Sequence, residues 1–345
     1  FAAHKAVAQQ VWAEAKAAND FAHFLPHLSH MVLLNREVAE AIGYADHPYD
    51  AMLLQYEPGM TSARLTGLFA ELKAGILPLL QRIVDSGVDP RWDFLTRDYP
   101  AEQQRAFGLE IAGAFGYDLE RGRLDASAHP FEISLTRHDV RMTTRYQPTF
   151  LPGALFGIFH ETGHALYEQG VNPELTRSAL TTDFINLYAV AGTSFGAHES
   201  QSRLWENLVG RSEAFWQLHF PRLQALFPAQ LADVDAEQFY RAVNRVQPSL
   251  IRVEADEVTY NLHIMLRAEI EMGLMDGTLA VEELPSVWNA KVQEYLGLTP
   301  TSDAQGVLQD IHWSTGYIGS FPTYTIGNVM AAQFYQAAHA ALPDL

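Results

Sequence analysis

Three residues in the stretch FHETGHALYEQG, residues 159–170, have types and spacing that could build a metal-dependent hydrolytic site. His160 and His164 lie four positions apart, so on a helix both imidazoles project from one face and can reach a single ion. Glu161 follows about 100° further round the helix, where its carboxylate can address a water beside that ion without being a ligand. The pattern H-E-x-x-H therefore indicates a zinc site, against the alternative of two ordinary helix histidines.

A third ligand must come from elsewhere, because a catalytic zinc ion usually takes three protein ligands and leaves one position for water. The next cluster along the chain is FGAHESQSRLWEN, in which Glu199 lies 35 residues after His164 on a predicted helix. We expect Glu199 to be the third ligand, with His198 and Asp183 as the alternatives. The competing interpretation is that HESQSR is only the polar face of a helix.

The composition of the chain restricts the classes of function. The 345 residues include no cysteine, which excludes disulfides, cysteine nucleophiles and thiolate ligands, so a metal must be held by His, Asp and Glu. Acidic residues number 41 and basic residues 23, giving a formal charge of −18 without the basic face of a nucleic-acid binder. No segment has the roughly 18 consecutive apolar residues of a membrane span, and no signal pattern opens the chain. We expect a cytoplasmic protein that binds neither nucleic acid nor membrane.

A mainly helical framework is predicted to position these residues. In residues 61–87 apolar side chains recur at steps of three and four, which is typical of an amphipathic helix. Thr61 or Ser62 can cap its start and Gly87 can end it, and Pro78 is expected to kink it.

The rest of the chain follows the same helical pattern, with one exception. Residues 237–276 predict one or two helices bent near Pro248, and residues 281–298 predict another. Residues 129–146 differ, because β-branched residues and period-two alternation indicate a strand or hairpin. With no repeat and no linker-like run, residues 1–345 are expected to form a single mainly helical domain.

Six short motifs occur along the chain in the order found in a known family. They are HPF at 129–131, DVRMT at 139–143, HETGH at 160–164, HESQ at 198–201, IRVEAD at 251–256 and GVLQDIHW at 306–313. In these motifs the chain resembles the carboxypeptidase Taq family of thermostable metallocarboxypeptidases. The resemblance extends over nearly the whole chain, including YDAMLLQYEPGM at 49–60.

The chain departs from this family in two respects. Family members are longer, with an additional N-terminal helical segment and a short C-terminal extension, so we expect that this chain is truncated at its N-terminus. The interval between HETGH and HESQ is also several residues longer than is usual in the family.

The resemblance implies an all-α fold like that of neurolysin-type peptidases, with a short β-hairpin near the active site and a deep groove. It implies removal of C-terminal amino acids from peptides with broad specificity. It also implies a zinc or cobalt cofactor and a homodimer.

A chemical role follows for each group in such a site. Zinc on His160, His164 and Glu199 would acidify a water, and Glu161 would act as the general base. The developing oxyanion needs a further donor, for which Tyr324 is the first candidate. Tyr317 and His312 are the alternatives.

An exopeptidase must also bind the terminal carboxylate of its substrate, and the planar fork of arginine does this best. Arg252 in IRVEAD is the first candidate by motif. Arg141 in DVRMT is the second, with the alternative that it pairs with Asp139 to brace the hairpin.

Other polar residues of the motifs are assigned supporting roles. Gln309 and His312 are expected to line the carboxylate subsite, and Asp256 and Asp310 to orient a histidine ligand. The hairpin at 129–146 is expected either to bind an extended peptide along its edge or only to close one end of the fold.

Two other functions remain compatible with these residues. One is an endo-acting oligopeptidase on the same fold, which would cleave peptides whose C-terminus is amidated. The other is a catalytically inactive, truncated peptide-binding protein, although a purely structural metal site has no use for Glu161.

Overall fold

The computed structural model describes residues 1–176 and 194–342, and α-helices account for most of them. The helices, numbered along these residues, are α1 (Ala2–Ala18), α2 (Phe21–Ile42), α3 (Pro48–Leu54), α4 (Ser62–Ser86), α5 (Ala101–Phe115), α6 (Leu151–Gln169), α7 (Phe195–Arg203), α8 (Glu213–Leu226), α9 (Ala236–Val243), α10 (Tyr260–Asp276), α11 (Leu284–Leu296) and α12 (Pro322–Ala341). The strands are β1 (Gly122–Ala126), β2 (Phe131–Thr136) and β3 (Asp139–Thr144). In this described part of the chain, no helix has the length and apolar character needed to cross a bilayer.

The chain divides into two compact units. The first comprises Phe1–Val88 and Val246–Thr325, and the second comprises Asp89–Arg245 and Ile326–Leu345. Each has its own apolar core: the first unit buries residues of α2, α3, α4, α10 and α11, and the second buries residues of α5, α6, α8 and α9. A single domain over residues 1–345 stays a prediction.

The helix predicted over residues 61–87 is confirmed in the first unit. The side chain of Thr61 accepts a hydrogen bond from the backbone N–H of Arg64, which caps the start of α4. Gly87 ends the helix in the left-handed conformation, with φ of 64°, which a glycine adopts without steric cost. α4 runs through Pro78 without a break in its helical assignment.

The pattern over residues 237–276 forms two helices, α9 and α10, separated by a longer non-α segment than a bend at Pro248 would give. Asp256 shapes the turn that precedes α10. Its carboxylate accepts hydrogen bonds from the backbone N–H groups of Val258 and Thr259, each at 3.0 Å, as aspartate side chains commonly do in turns.

The predicted hairpin is confirmed, and the sheet has a third strand that the sequence pattern did not reveal. β2 pairs antiparallel with β3, and β1 pairs parallel with the other side of β3, giving the order β1-β3-β2. β1 is only five residues long and carries both Arg123 and Asp125, so its alternation was too short and too polar to stand out.

α6, the helix of the HETGH motif, is held at its C-terminal end by two arginines. Arg121 Nη1 donates to the carbonyl of Gln169 at 3.2 Å, and Arg137 Nη2 donates to the same carbonyl at 3.4 Å. The last carbonyls of a helix have no partner within it, so these donors fix the end of α6 and the orientation of its side chains.

Candidate active site

Three of the predicted residues converge on one point in the second unit. The Nε2 atoms of His160 and His164 lie 3.2 Å apart. Oε2 of Glu199 lies 3.2 Å from Nε2 of His164 and 3.6 Å from Nε2 of His160. Ligand atoms about 2.0–2.1 Å from a tetrahedral zinc ion are separated by roughly 3.3 Å, so this donor set fits such an ion. Among the described residues, no other group of three histidine, aspartate or glutamate side chains converges in this way.

Both histidines are oriented through their second ring nitrogen. Nδ1 of His160 lies 2.8 Å from Oε2 of Glu206. Nδ1 of His164 lies 2.6 Å from Nδ1 of His198, whose Nε2 lies 2.9 Å from Oε1 of Glu168. With protons on Nδ1 of His160, Nδ1 of His164 and Nε2 of His198, every contact has a donor and an acceptor. This tautomer leaves Nε2 of His160 and of His164 as lone pairs for an ion.

These contacts favour Glu199 over His198 as the third ligand of a metal. Both ring nitrogens of His198 are engaged, one by His164 and the other by Glu168, so neither is left to bind an ion. Asp183, the other alternative, lies outside the described residues.

Glu199 is held as a carboxylate by its neighbours. Arg203 Nε donates to Oε1 of Glu199 at 2.8 Å, and the hydroxyl of Ser202 donates to Oε2 at 2.9 Å. Burial alone would raise the pKa of Glu199, but Arg203 and His160 hold that pKa well below its usual range. Arg203 also donates to Oε2 of Glu206 at 3.1 Å, and so joins the two carboxylates around the histidines.

Close helix packing brings Glu199 to the histidines. A Cβ atom built on Gly163 would lie 2.5 Å from Cα of Ser202, so α6 and α7 can approach this closely only because residue 163 has no side chain. On the other side, a Cβ on Gly327 of α12 would lie 2.6 Å from Cγ of Glu199. The π-helical turn Leu204–Val209 then follows α7 and carries Glu206 to His160.

Glu161 lies beside the cluster without belonging to it. Its side chain is buried, and burial is the main reason that its pKa is raised to about 7, with the carboxylates of Glu199 and Glu206 adding to the effect and His160 opposing it. A carboxylate with a pKa near neutrality can both take up and return a proton.

A second polar cluster occupies the first unit and centres on Asp310. Arg252 donates to Oδ1 of Asp310 through Nε at 3.0 Å and Nη2 at 2.9 Å, and Arg267 Nε donates to Oδ2 at 2.6 Å. Arg252 Nη1 also donates to the hydroxyl of Tyr260 at 3.0 Å. Both arginines are buried. Two guanidinium groups share one carboxylate, so this trio carries one net positive charge.

The other predicted residues of the first unit adjoin this cluster. Gln309 accepts a hydrogen bond from the backbone N–H of Arg252 at 3.0 Å and donates to the carbonyl of Leu250, so its amide positions the chain around Arg252. Nε2 of His312 lies 3.0 Å from the hydroxyl of Tyr324. The alternative donor Tyr317 instead accepts a hydrogen bond from Lys5 at 3.2 Å.

Three sequence interpretations are decided by these contacts. Arg141 is exposed on β3 and forms an ion pair with Asp139 through bonds of 2.7 and 2.8 Å, which is the alternative bracing role. The expectation that Asp256 and Asp310 orient a histidine ligand is wrong, because the first binds backbone N–H groups of the turn before α10 and the second binds two arginines.

The residues that support the three clustered side chains were missed by the sequence interpretation. Glu168 lies four positions after His164, on the same helix face, and Arg203 lies four positions after Glu199, so both could have been found from helical spacing. Glu206 gave no such signal, because the π-helical turn that brings it to His160 has no recognisable spacing.

Comparison with known proteins decides the family. The family profile described as carboxypeptidase Taq (M32) metallopeptidase matches residues 1–345. The chain belongs to this family. It is 50% identical over 347 aligned positions to thermostable carboxypeptidase 1 of Thermus thermophilus, and 44% identical over 337 to carboxypeptidase 1 of Bacillus subtilis. Each alignment covers 98% of this chain and 66% of the relative, so the chain spans slightly less than two thirds of those proteins.

Solved structures of M32 carboxypeptidases have the same fold. The chain superposes on the M32 carboxypeptidase of Deinococcus radiodurans with a TM-score of 0.93 at 46% identity, covering 99% of this chain and 67% of that one. The carboxypeptidase of Pyrococcus furiosus gives a TM-score of 0.93 at 38% identity, with coverage of 99% and 67%. The predicted family and the mainly helical fold class are therefore confirmed, and a deep groove stays a prediction.

Proposed function

We propose that the protein is a zinc metallocarboxypeptidase that releases C-terminal amino acids from peptides with broad specificity. The observation that carries this proposal is the convergence of His160, His164 and Glu199, with the carboxylate of Glu161 beside them. Membership of the M32 metallopeptidase family supports the reaction class.

We assign the metal ligands to His160 Nε2, His164 Nε2 and Glu199 Oε2. Two imidazoles and one carboxylate suit zinc, with cobalt as a possible substitute, and their separations fit tetrahedral coordination. Such an ion, when bound, would supply Lewis-acid polarisation of the scissile carbonyl and a water of lowered pKa. Glu206 and His198 would keep the two imidazoles in the tautomer and orientation that binding requires.

Glu161 is assigned the proton transfers. Its carboxylate would take a proton from the attacking water and return it to the departing amine, for which a pKa of about 7 is well matched. Tyr324 is assigned as the donor to the developing oxyanion, with His312 setting the direction of its hydroxyl through their 3.0 Å hydrogen bond.

Arg252 is assigned to the terminal carboxylate of the substrate. The excess positive charge of the trio Arg252, Arg267 and Asp310 supports this choice, and Gln309 braces the backbone of Arg252. Arg141 is the weaker candidate, because it is exposed and Asp139 balances its charge, whereas Arg252 and Arg267 share one carboxylate. A homodimer, expected from the family resemblance, and a cytoplasmic location, expected from the absence of cysteine, are retained as proposals.

One comparison of substrates tests the proposed function. The purified chain, supplied with zinc, is incubated with a peptide bearing a free C-terminal carboxylate and with the same peptide amidated, and the products are identified by mass spectrometry. We expect stepwise loss of C-terminal residues from the free peptide, little cleavage of the amide and no activity after chelation. Internal cleavage of both peptides would establish the endo-acting alternative. Binding without any cleavage would establish the inactive peptide-binding alternative.

A further inference from the structure

β2 carries a carboxylate, that of Glu132, for which the described residues provide no partner. Oε1 of Glu132 is buried and accepts no hydrogen bond, and no lysine or arginine within residues 1–176 and 194–342 forms an ion pair with Glu132. A buried carboxylate without a donor or a cation is costly in free energy. Such a group is therefore a candidate for binding a ligand.

The strand directs Glu132 toward the helix that carries the proposed base. Alternate residues of a strand share a face, so Glu132 lies on the same face of β2 as Ser134. The hydroxyl of Ser134 donates to Oε2 of Glu168 at 3.0 Å, which sets this face against α6. On α6, Glu161 and Glu168 are seven positions apart and therefore share one side of the helix.

Three carboxylates consequently face one another across β2 and α6. Burial, followed by the negative charges of Glu168 and Glu161, raises the pKa of Glu132 well above its usual range. Glu168 is satisfied by His198 and Ser134, and Glu161 is assigned to the reacting water. Glu132 has no assigned task, and residues 1–176 and 194–342 offer it no partner. A cation placed beside Glu132 would take the place of the proton that it otherwise retains.

The negative charge around Glu132 indicates which part of a peptide substrate would lie beside it. The C-terminal residue of a substrate carries a negative carboxylate, which the negative charges of Glu168 and Glu161 would repel. The residue on the amino side of the scissile bond carries no such charge. In addition, β2 pairs with β3 alone among the described strands, which leaves an edge that can hydrogen-bond the backbone of an extended peptide.

We propose that Glu132 is a specificity-determining residue that binds a cationic group on the substrate residue preceding the scissile bond. This inference rests on the proposed carboxypeptidase function. The cation can have two sources: the side chain of a penultimate lysine or arginine, or the free α-amino group of a dipeptide. Both present an N–H donor with a positive charge to a carboxylate, which is the stronger class of hydrogen bond.

The test compares two N-acetylated peptides that differ only in a penultimate lysine or norleucine. The quantity measured is the ratio of kcat/KM for lysine over norleucine in each enzyme, so that a general loss of activity cancels. We expect a ratio of about tenfold or more for the parent and close to one for Glu132→Gln. The control is Glu120→Gln, the same change at an exposed carboxylate of the second unit, which should keep the parent ratio. A second pair, a dipeptide with its α-amino group free or acetylated, distinguishes the two sources of the cation.

Binding provides a readout that does not depend on turnover. Affinities for the same two peptides are measured by calorimetry on Glu161→Gln and on the double variant with Glu132→Gln. A preference for lysine that Glu132→Gln removes supports the inference, even if the parent cleaves neither peptide and the proposed function is wrong. A parent that cleaves both peptides with a ratio near one, or a ratio that survives Glu132→Gln, overturns the inference and leaves the proposed function standing.

Discussion

Gly163 and Ser202 pack so closely that a Cβ atom on the glycine would lie 2.5 Å from Cα of the serine. The contact is between backbones, so no side chain can rotate to make room. Gly163 directly precedes His164 on α6, and Ser202 follows Glu199 by three residues on α7. This contact therefore fixes the separation of two proposed ligands that come from different helices.

We therefore predict that Gly163→Ala weakens metal binding. The methyl group must push α7 away from α6, which moves Oε2 of Glu199 off the Nε2 atom of His164, 3.2 Å away. We expect a loss of about 10- to 100-fold in zinc affinity, the size typical of a misplaced ligand. Zinc affinity would be measured by competition with a chelator.

The matched control is Gly113→Ala. Gly113 lies in α5, and a Cβ atom there would meet nothing within 4 Å. The Gly113→Ala substitution should leave zinc affinity unchanged and slightly stabilise α5, since alanine is a better helix former than glycine. Equal zinc affinities in the Gly163 and Gly113 variants would show that the close approach is not needed to place Glu199.

Glu161→Gln is predicted to keep the metal and lose most hydrolysis. Glu161 is assigned to the water and lies outside the three-atom cluster, so the amide removes the base without removing a ligand. Loss of a general base typically costs about 10²–10⁴-fold in rate. Metal content and turnover would be measured on the same preparation. A variant that lost its metal, or that kept near-normal turnover, would contradict the assigned role.

Glu199→Ala is predicted to weaken zinc affinity as much as replacing either histidine, because two ligands lack the chelation to hold the ion. His198→Ala is the informative comparison. His198 contacts His164 and is proposed to act through it, so its loss should weaken binding by only about 10- to 100-fold. A larger loss for His198→Ala than for Glu199→Ala would make His198 the ligand.

The proposed ligands His160, His164 and Glu199 could be predicted from the sequence, because helix spacing and metal chemistry constrain them directly. Glu168 and Arg203 could also have been found from helical spacing. Glu206 and Glu132 could not, because Glu206 reaches His160 from a π-helical turn and Glu132 owes its environment to a strand packed on α6. These arrangements depend on tertiary contacts that leave no periodic trace in the sequence. Arg252 could be identified as a candidate from its motif. Only the structure shows that it also forms an ion pair with Asp310, because that contact joins distant parts of the sequence.

Glu271 provides a prediction about stability in the first unit. Its buried carboxylate accepts hydrogen bonds from Tyr49, Trp313 and the backbone of Gly319. Burial nevertheless raises its pKa from 4.5 to about 7, with these three donors opposing the shift. A raised pKa means that the folded state holds this proton more tightly than the unfolded state. The resulting stabilisation is complete below pH 4.5 and is lost as the pH rises through about 7.

The measurement compares the parent with Glu271→Gln, which cannot ionise. The free energy of unfolding of each would be obtained from urea titrations at several pH values between 4.5 and 8. Relative to Glu271→Gln, the parent should lose on the order of 3 kcal/mol across this range. Titration of the other groups is common to both proteins and cancels in the difference. A difference that stays constant with pH would show that Glu271 is ionised throughout.

Arg252→Ala is predicted to act selectively on peptides with a free carboxylate. Losing one partner of a buried, charged hydrogen-bonded pair costs roughly 2–5 kcal/mol of binding, so kcat/KM on such peptides should fall by about 30-fold or more. Peptides with an amidated C-terminus lack the charged partner, and their already slow cleavage should barely change. Both substrates would be assayed on the parent and the variant.

The structure adds a condition to this test, because Arg252 also binds Asp310. Its removal leaves that carboxylate with Arg267 and so preserves one of its two cationic partners. The melting temperature of the variant should accompany the kinetics, to separate a loss of substrate contact from a loss of fold. Arg141→Ala, which removes an exposed arginine paired with Asp139, is the control and should leave the ratio of the two activities unchanged. If Arg252→Ala lowers both activities equally, Arg252 supports the fold around Asp310 and the substrate carboxylate is bound elsewhere.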